Sequence, residues 1–119
     1  MSRRDISLFL EDILEAISRI SEYIGTCSEE EFLHDHKTID AVIRNIEIIG
    51  EAVSNLPDEF RINYPHIPWN KIVGVRNIVI HNYFGVDTGT LWVIIHEQLP
   101  ELSVQISIIL SEIEKQENI

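Results

Sequence analysis

Apolar residues recur every three or four positions along most of this chain, and this period constrains the fold more than any other feature of the sequence. It matches the turn of an amphipathic α-helix, whereas a half-buried strand alternates with a period of two. The first stretch predicts a helix over about residues 4–25, ended by Gly25 and Thr26. Its inner face would carry Ile6, Phe9, Leu10, Ile13, Ile17, Ile20 and Ile24.

The same pattern predicts a second long helix, for which Thr38 is suited as the N-terminal cap. Leu56-Pro57 would end it, because a proline lacks the backbone donor that a helix needs. Residues 29–35 are expected to add a short helical turn before it, and residues 57–68 a short helix and an irregular crossover after it. The inner face of this second helix would carry Ile39, Val42, Ile43, Ile46, Ile49 and Val53.

A third helix is expected over about residues 69–84, because Gly85 suits the left-handed position past a helix C-terminus. Asp87 or Thr88 would cap a last helical stretch, in which Pro100 predicts a kink or a break. The apolar positions of that stretch are Leu91, Ile94, Ile95, Leu102, Ile106, Ile109, Leu110 and Ile113.

No strand pattern competes with these helices. The chain has 119 residues, 45% of them hydrophobic, with only five Gly and four Pro, which is enough for one compact core. The sequence therefore predicts a single all-α domain over residues 1–119, built as an up-and-down bundle of four to five helices.

Charge and cysteine content narrow the class of protein. The formal net charge of -11 argues against broad, nonspecific binding of nucleic acid, which needs many Lys and Arg contacts to phosphates. The lone Cys27 has no internal disulfide partner and the first residues lack a secretory apolar stretch, so a cytoplasmic protein is expected. No uncharged apolar run approaches the roughly 20 residues of a membrane-crossing helix.

One segment departs from the acidic balance. Residues 61–86 contain no Asp or Glu, whereas Arg61, Lys71 and Arg76 carry three positive charges. An anionic ligand is therefore expected to bind within this segment.

The third helix places Arg76, Asn77, His81 and Tyr83 among aliphatic residues. Arg76 and Tyr83 would lie within about 20° of each other around a helix, and Asn77 and His81 are one turn apart. Arginine binds phosphate through two parallel hydrogen bonds, and histidine can transfer a proton near neutral pH. Arg76 and His81 point about 140° apart, so one copy is not expected to focus both on one phosphate. A symmetric dimer could solve this by facing two copies across a cleft.

The pattern Arg-x4-His-x-Tyr at residues 76–83 resembles the signature of the HepT-like branch of the HEPN superfamily of helical ribonucleases and nucleotide-binding proteins. Residues 10–17, 45–52, 64–69 and 81–87 are also similar to that family. The resemblance therefore covers nearly the whole chain.

This resemblance implies an all-helical homodimer that acts as a metal-independent endoribonuclease without a cofactor, and as the toxin of a toxin–antitoxin pair. Arg76 would hold the scissile phosphate, His81 would transfer protons, and Asn77 would be a supporting polar residue. The implied antitoxin is a minimal nucleotidyltransferase (MNT type) that transfers AMP onto Tyr83. The modification would add negative charge and bulk to the phosphate site.

Each of these residues also has a structural interpretation. Arg76 and His81 can satisfy buried carbonyls or pair with Glu47 or Glu51, and Tyr83 can serve as an amphipathic cap on the core. Together with Arg44, the two glutamates are expected to form a solvated charge ladder.

For the remaining candidate residues, structural roles are expected. His34-Asp35-His36 is expected to be a polar loop rather than a metal site, because matching further ligands are missing. Trp69 and Trp92 are expected in the core, although either can stack on a base, and Cys27 is expected to be a free thiol. His66 is expected in a loop, where a substrate contact is possible.

Two other functions stay open at this point. One is a catalytically silent module that binds a nucleotide or docks a nucleotidyltransferase. The other is a purely structural dimer that binds nothing anionic.

Overall fold

The computed structural model describes residues 2–81 and 87–117, with side chains described for residues 2–75 and 87–116. The described part contains helices and no strand, which confirms the predicted all-α class. This part has four long helices and three short ones, and a π turn joins the last short helix to the last long one. In chain order the elements are α1 (Arg3–Ile24), α2 (Glu29–Leu33), α3 (His36–Asn55), α4 (Asp58–Ile62), α5 (Trp69–His81), α6 (Thr88–Val93), a π turn (Ile94–Gln98) and α7 (Leu99–Glu117).

Helix α1 begins and ends where the sequence supplies caps. The Ser2 hydroxyl accepts a hydrogen bond from the Asp5 N–H at 3.2 Å, and the Asp5 carboxylate accepts one from the Ser2 N–H at 3.3 Å. This reciprocal pair satisfies backbone donors that the first helical turn leaves free. Gly25 follows the helix with φ 52°, a conformation that disfavours any residue with a Cβ, so the predicted stop is confirmed.

The predicted cap of the second long helix is wrong. Helix α3 begins at His36, two residues before Thr38, and its cap is Asp35. An Asp35 carboxylate oxygen accepts the Thr38 N–H at 3.1 Å, and the other accepts the Thr38 hydroxyl at 2.5 Å. The carboxylate outcompetes the hydroxyl here because its negative charge also interacts with the positive end of the helix dipole.

The last helical stretch is not broken at Pro100. Asp87 caps α6 by accepting the Gly89 N–H at 2.9 Å, as one of the two predicted caps. The irregularity is the π turn, in which the Leu99 N–H bonds to the Ile94 carbonyl five residues back. A proline clashes with the carbonyl four residues before it, and the wider turn accommodates Pro100 without ending the helix.

Helix α3 lies at the centre of the bundle. It packs against α1 on one side and α5 on the other, while α7 packs against α1. The apolar positions predicted for α3 are all buried. The largest fully buried side chains of the core are Phe32, Leu10, Ile13, Ile20, Leu56, Ile67, Leu91, Ile106, Val42 and Val53.

The segment Thr88–Gln116 is long and apolar enough to cross a membrane when judged by length and composition alone. Its inner positions, such as Leu91, Ile95 and Ile106, are buried in the bundle core. A core helix of a water-soluble bundle passes the same criterion, so the segment is weak evidence for a membrane span.

Candidate functional site

Helix α5 carries three of the four predicted site residues on a regular backbone. It is helical from Trp69 to His81, so Arg76, Asn77 and His81 occupy the helical positions that the sequence predicts. The side chains of these three residues lie outside the part of the chain that the structure describes. Tyr83 and the predicted helix stop at Gly85 lie in residues 82–86, which are also outside it.

The N-terminus of α5 is fixed by Trp69. Its indole is buried, and the Nε1–H donates to the carbonyl oxygens of Arg61 at 3.2 Å and Tyr64 at 3.1 Å. The Tyr64 ring packs on Phe60 with centroids 5.1 Å apart, and burial raises the pKa of this phenol. The predicted core role of Trp69 is confirmed, and it ties α5 to the crossover before it.

Beyond Trp69 the described side chains of α5 are covered less completely than the inner face of α3. Ile72, Val73 and Val75 are only partly buried, and none of residues 70–75 is fully buried. The main contacts of α5 are with α3. Some apolar surface of α5 is therefore left accessible next to the helical position of Arg76.

The three predicted cations are not equivalent. Arg61 forms an ion pair with Asp58, so its charge is already compensated. Lys71 is exposed and forms no ion pair or hydrogen bond with any residue in the described ranges. Among the described side chains of residues 61–86, Lys71 is therefore the cation available to an anionic ligand. The side chain of Arg76 lies outside the part of the chain that the structure describes.

The predicted charge ladder on α3 is confirmed for Arg44 and Glu47, whose side chains lie 3.4 Å apart with 70% and 33% exposure.

Trp92 rests on Phe32 with ring centroids 5.5 Å apart. The His96 ring also lies against Trp92, with ring centroids 4.0 Å apart. Trp92 is therefore occupied by neighbours within the chain.

The carboxylate of the run His34-Asp35-His36 has a structural role, since Asp35 caps α3. Hydrogen bonds from Thr38 lower the pKa of Asp35, which keeps the cap charged. Within residues 2–75 and 87–116, no three His, Cys, Asp or Glu side chains gather as a metal site.

Asn45 is a residue that the sequence interpretation missed. It is 4% exposed, and it is the one buried polar side chain among the described residues. Its amide nitrogen donates to the Ala41 carbonyl at 2.9 Å, but its Oδ1 accepts no hydrogen bond from any residue in the described ranges. The available signal was an amide at an inner position of α3, the helix that supports α5.

A cavity of about 280 Å³ also went unpredicted, because its walls come from distant parts of the chain. It lies between α3, α5 and the junction of the π turn with α7. Its walls are apolar and its polar groups come from the crossover, α5, the π turn and α7. The lining residues are Ile46, Ile49, Pro68, Ile72, Val75, Ile94, Leu99 and Leu102, with His66, Lys71, Gln98, Glu101 and Gln105.

The chain matches a family model described as "Ribonuclease HepT-like" over residues 13–109. The matched region contains α3, α5 and the π turn completely. It therefore includes both the helix of the predicted site and the cavity beside it.

Three similar proteins show how far the likeness extends. "Putative RNase MJ1380" of Methanocaldococcus jannaschii is 41% identical over 92% of this chain and 100% of its own length. "Probable ribonuclease HepT" of Thermococcus cleftensis is 48% identical over 79% of this chain and 86% of its own. "Gamma-glutamylcyclotransferase and putative RNase MJ0434" of M. jannaschii is 45% identical over 98% of this chain, which spans 52% of that protein. No solved structure matches the chain.

Proposed function

We propose that this chain, which belongs to the HepT-like ribonuclease family, is a metal-independent endoribonuclease whose reaction is carried by α5. The observation that carries the proposal is the family match over residues 13–109, which includes all of α5. The partial exposure of Ile72, Val73 and Val75 is compatible with it, because it leaves apolar surface on α5 that a second molecule can contact.

The proposed reaction uses the ribose 2′-hydroxyl as nucleophile. His81 removes its proton or donates one to the leaving 5′-oxygen, as the new bond to phosphorus forms and the old one breaks. The products are a 2′,3′-cyclic phosphate and a 5′-hydroxyl. Arg76 stabilises the negative charge on the phosphate through two parallel hydrogen bonds, and Asn77 supports it.

Two copies would share the site. Positions 76 and 81 are five residues apart on α5, which places them about 140° apart around the helix axis. A twofold dimer can bring position 76 of one copy opposite position 81 of the other. The partly buried Ile72, Val73 and Val75 would supply apolar surface beside this cleft.

The proposed biological role is the toxin of a toxin–antitoxin pair in the cytoplasm. A nucleotidyltransferase partner would join the Tyr83 oxygen to the α-phosphorus of ATP, with pyrophosphate as the leaving group. The added phosphate would repel the RNA backbone from the site. The net charge of -11 suits a basic partner.

A binding module without catalysis is the second candidate. The acidic balance favours it, since Arg61 is already paired with Asp58 and few cations are left for a long RNA. Such a module would bind the nucleotidyltransferase or a nucleotide and leave RNA intact.

The test is cleavage of RNA by the purified, unmodified protein in a chelator, compared with His81→Ala. The matched control is His34→Ala, an exposed histidine outside α5. We expect cleavage by the wild type and by His34→Ala and a loss of about 10²–10⁴-fold in His81→Ala. Cleavage that needs a divalent metal would refute the mechanism, and nucleotide or partner binding without cleavage would favour the second candidate.

A further inference from the structure

We infer that the cavity between α3, α5 and α7 is a subsite for one unstacked purine base of the RNA, with guanine preferred. The inference rests on the proposed ribonuclease function, because it assigns part of the substrate to a place beside the reacting helix. Sequence-selective proteins commonly read RNA through single, splayed-out bases.

The walls of the cavity suit a flat apolar ring. Ile46 and Ile49 come from α3, and Ile94, Leu99 and Leu102 come from the π turn and α7. The volume of about 280 Å³ is near the lower end of ligand pockets, which run from roughly 300 to 1,000 Å³. A single nucleobase or nucleoside is of that size, whereas a peptide segment needs a longer groove.

The polar groups of the cavity are divided by charge. Lys71 lies on α5, whereas Glu101 lies on α7. A nucleotide fits this division in one direction, with its phosphate toward α5 and its base edge toward α7. The opposite direction would place phosphate against a carboxylate.

The α7 side of the cavity favours guanine among the bases. The Glu101 carboxylate can accept from the N1–H and N2–H groups of guanine, which no other standard base presents together. The Gln98 and Gln105 amides can donate to its O6 or N7 acceptors. These three side chains make no hydrogen bond or ion pair within the described part of the chain, so their polar groups are available.

The cavity is close to the proposed reacting groups along the chain. Val75 lines it and directly precedes Arg76. Position 76 follows Ile72, another lining residue, by four residues, or about 6 Å along the helix axis. A base in the cavity would therefore have its phosphate near the phosphate-binding position of α5.

Two other grooves lack this combination. The groove between α1 and the start of α7 contains Glu22 and His96 but no Lys or Arg. The groove beside α4 also contains Lys71, but its carboxylate, Asp58, is paired with Arg61, so it offers no unpaired carboxylate to a base edge. The π turn adds weight to the chosen cavity, because Ile94 and Gln98 at its two ends both line it and such turns are frequent at functional sites.

The test is calorimetric titration of GMP, AMP and UMP into the full chain and into Glu101→Gln and Gln105→Ala. Glu114→Gln and Gln116→Ala are matched controls, since both residues are exposed on α7 outside the cavity. We expect GMP to bind more tightly than UMP, and its affinity to fall about 5-fold or more in the cavity variants. The control variants should bind GMP like the wild type.

Equal GMP binding by cavity and control variants, or no saturable binding of any nucleotide, would overturn the subsite whether or not RNA is cut. His81→Ala separates this from the proposed function, because it should lose cleavage and keep GMP binding. Sequencing of cleavage ends in a random RNA pool gives a second measurement. Guanosine should be enriched beside the cut for the wild type and for Glu114→Gln, and this enrichment should disappear in Glu101→Gln.

Discussion

Helices α3 and α5 pack against each other, yet they differ in how completely their side chains are buried. Helix α3 buries nine residues along its length, from Ile39 to Val53. Of the described side chains of α5, residues 69–75, only Trp69 is buried. The apolar row of α3 is explained by packing within one copy. The described apolar residues of α5 are covered less completely, and the proposed role of α5 predicts this difference, since a helix that contacts other molecules keeps part of its apolar surface accessible.

The largest expected effect is on RNA cleavage, when one arginine on each helix is replaced by alanine. Arg76→Ala on α5 should lower RNA cleavage by about 10²–10³-fold, because it removes the group that stabilises charge on the phosphate. Arg44→Ala on α3 should leave cleavage unchanged, since Arg44 is exposed and paired with Glu47. Single-turnover cleavage rates check both, with circular dichroism as the control for folding. Similar losses in both variants would contradict the assignment of function to α5.

When one isoleucine on each helix is replaced by alanine, the larger effect should be on α3, and it should be a loss of stability. Ile43→Ala removes a side chain of α3 that is only 4% exposed, and we expect it to lower the free energy of unfolding by about 2–5 kcal/mol. Ile72→Ala on α5 should cost less, about 1 kcal/mol, because its side chain is already partly exposed. Urea unfolding measures both values. A loss for Ile72→Ala as large as that for Ile43→Ala would contradict the difference in burial between the two helices.

The smallest effect concerns the cap of α3. Hydrogen bonds from Thr38 lower the pKa of Asp35, so the folded state favours the charged carboxylate. The stability from this ionisation is present above the unfolded pKa of about 4 and is lost as pH falls through the lower folded pKa. Asp35→Asn keeps an acceptor for the cap but removes the titration, so the unfolding midpoint should fall less steeply below pH 4 than in the wild type. An unchanged slope in Asp35→Asn would contradict the role of this carboxylate as a charged cap.

The main helices of the bundle were predictable because the spacing of apolar residues along each helix identifies its buried face. The periods that predicted α1 and α3 need no knowledge of distant residues, and glycine at position 25 marks a local backbone requirement. The cap of α3 was assigned wrongly, because Asp35 and Thr38 are both good acceptors and lie three residues apart. The π turn has no comparable local signature, since its extra residue depends on how Pro100 fits against the rest of the bundle.

The candidate site was predictable only in part. The helical positions of Arg76, Asn77 and His81 follow from the period of α5, and the match to the HepT-like family confirms the predicted class of protein. The cavity was not predictable, because Ile46, Ile72 and Leu99 meet only in three dimensions. The roles of Arg76, His81 and Tyr83 stay predictions.

The shared site is tested most directly by mixing two inactive variants, Arg76→Ala and His81→Ala, by co-expression. If one copy supplies position 76 and the other position 81, half of the dimers in a random mixture are mixed, and each mixed dimer regains one of two sites. RNA cleavage should then return to about a quarter of the wild-type rate. A mixture as inactive as either variant alone, with mixed dimers confirmed by mass spectrometry, would contradict a site built from two copies of α5.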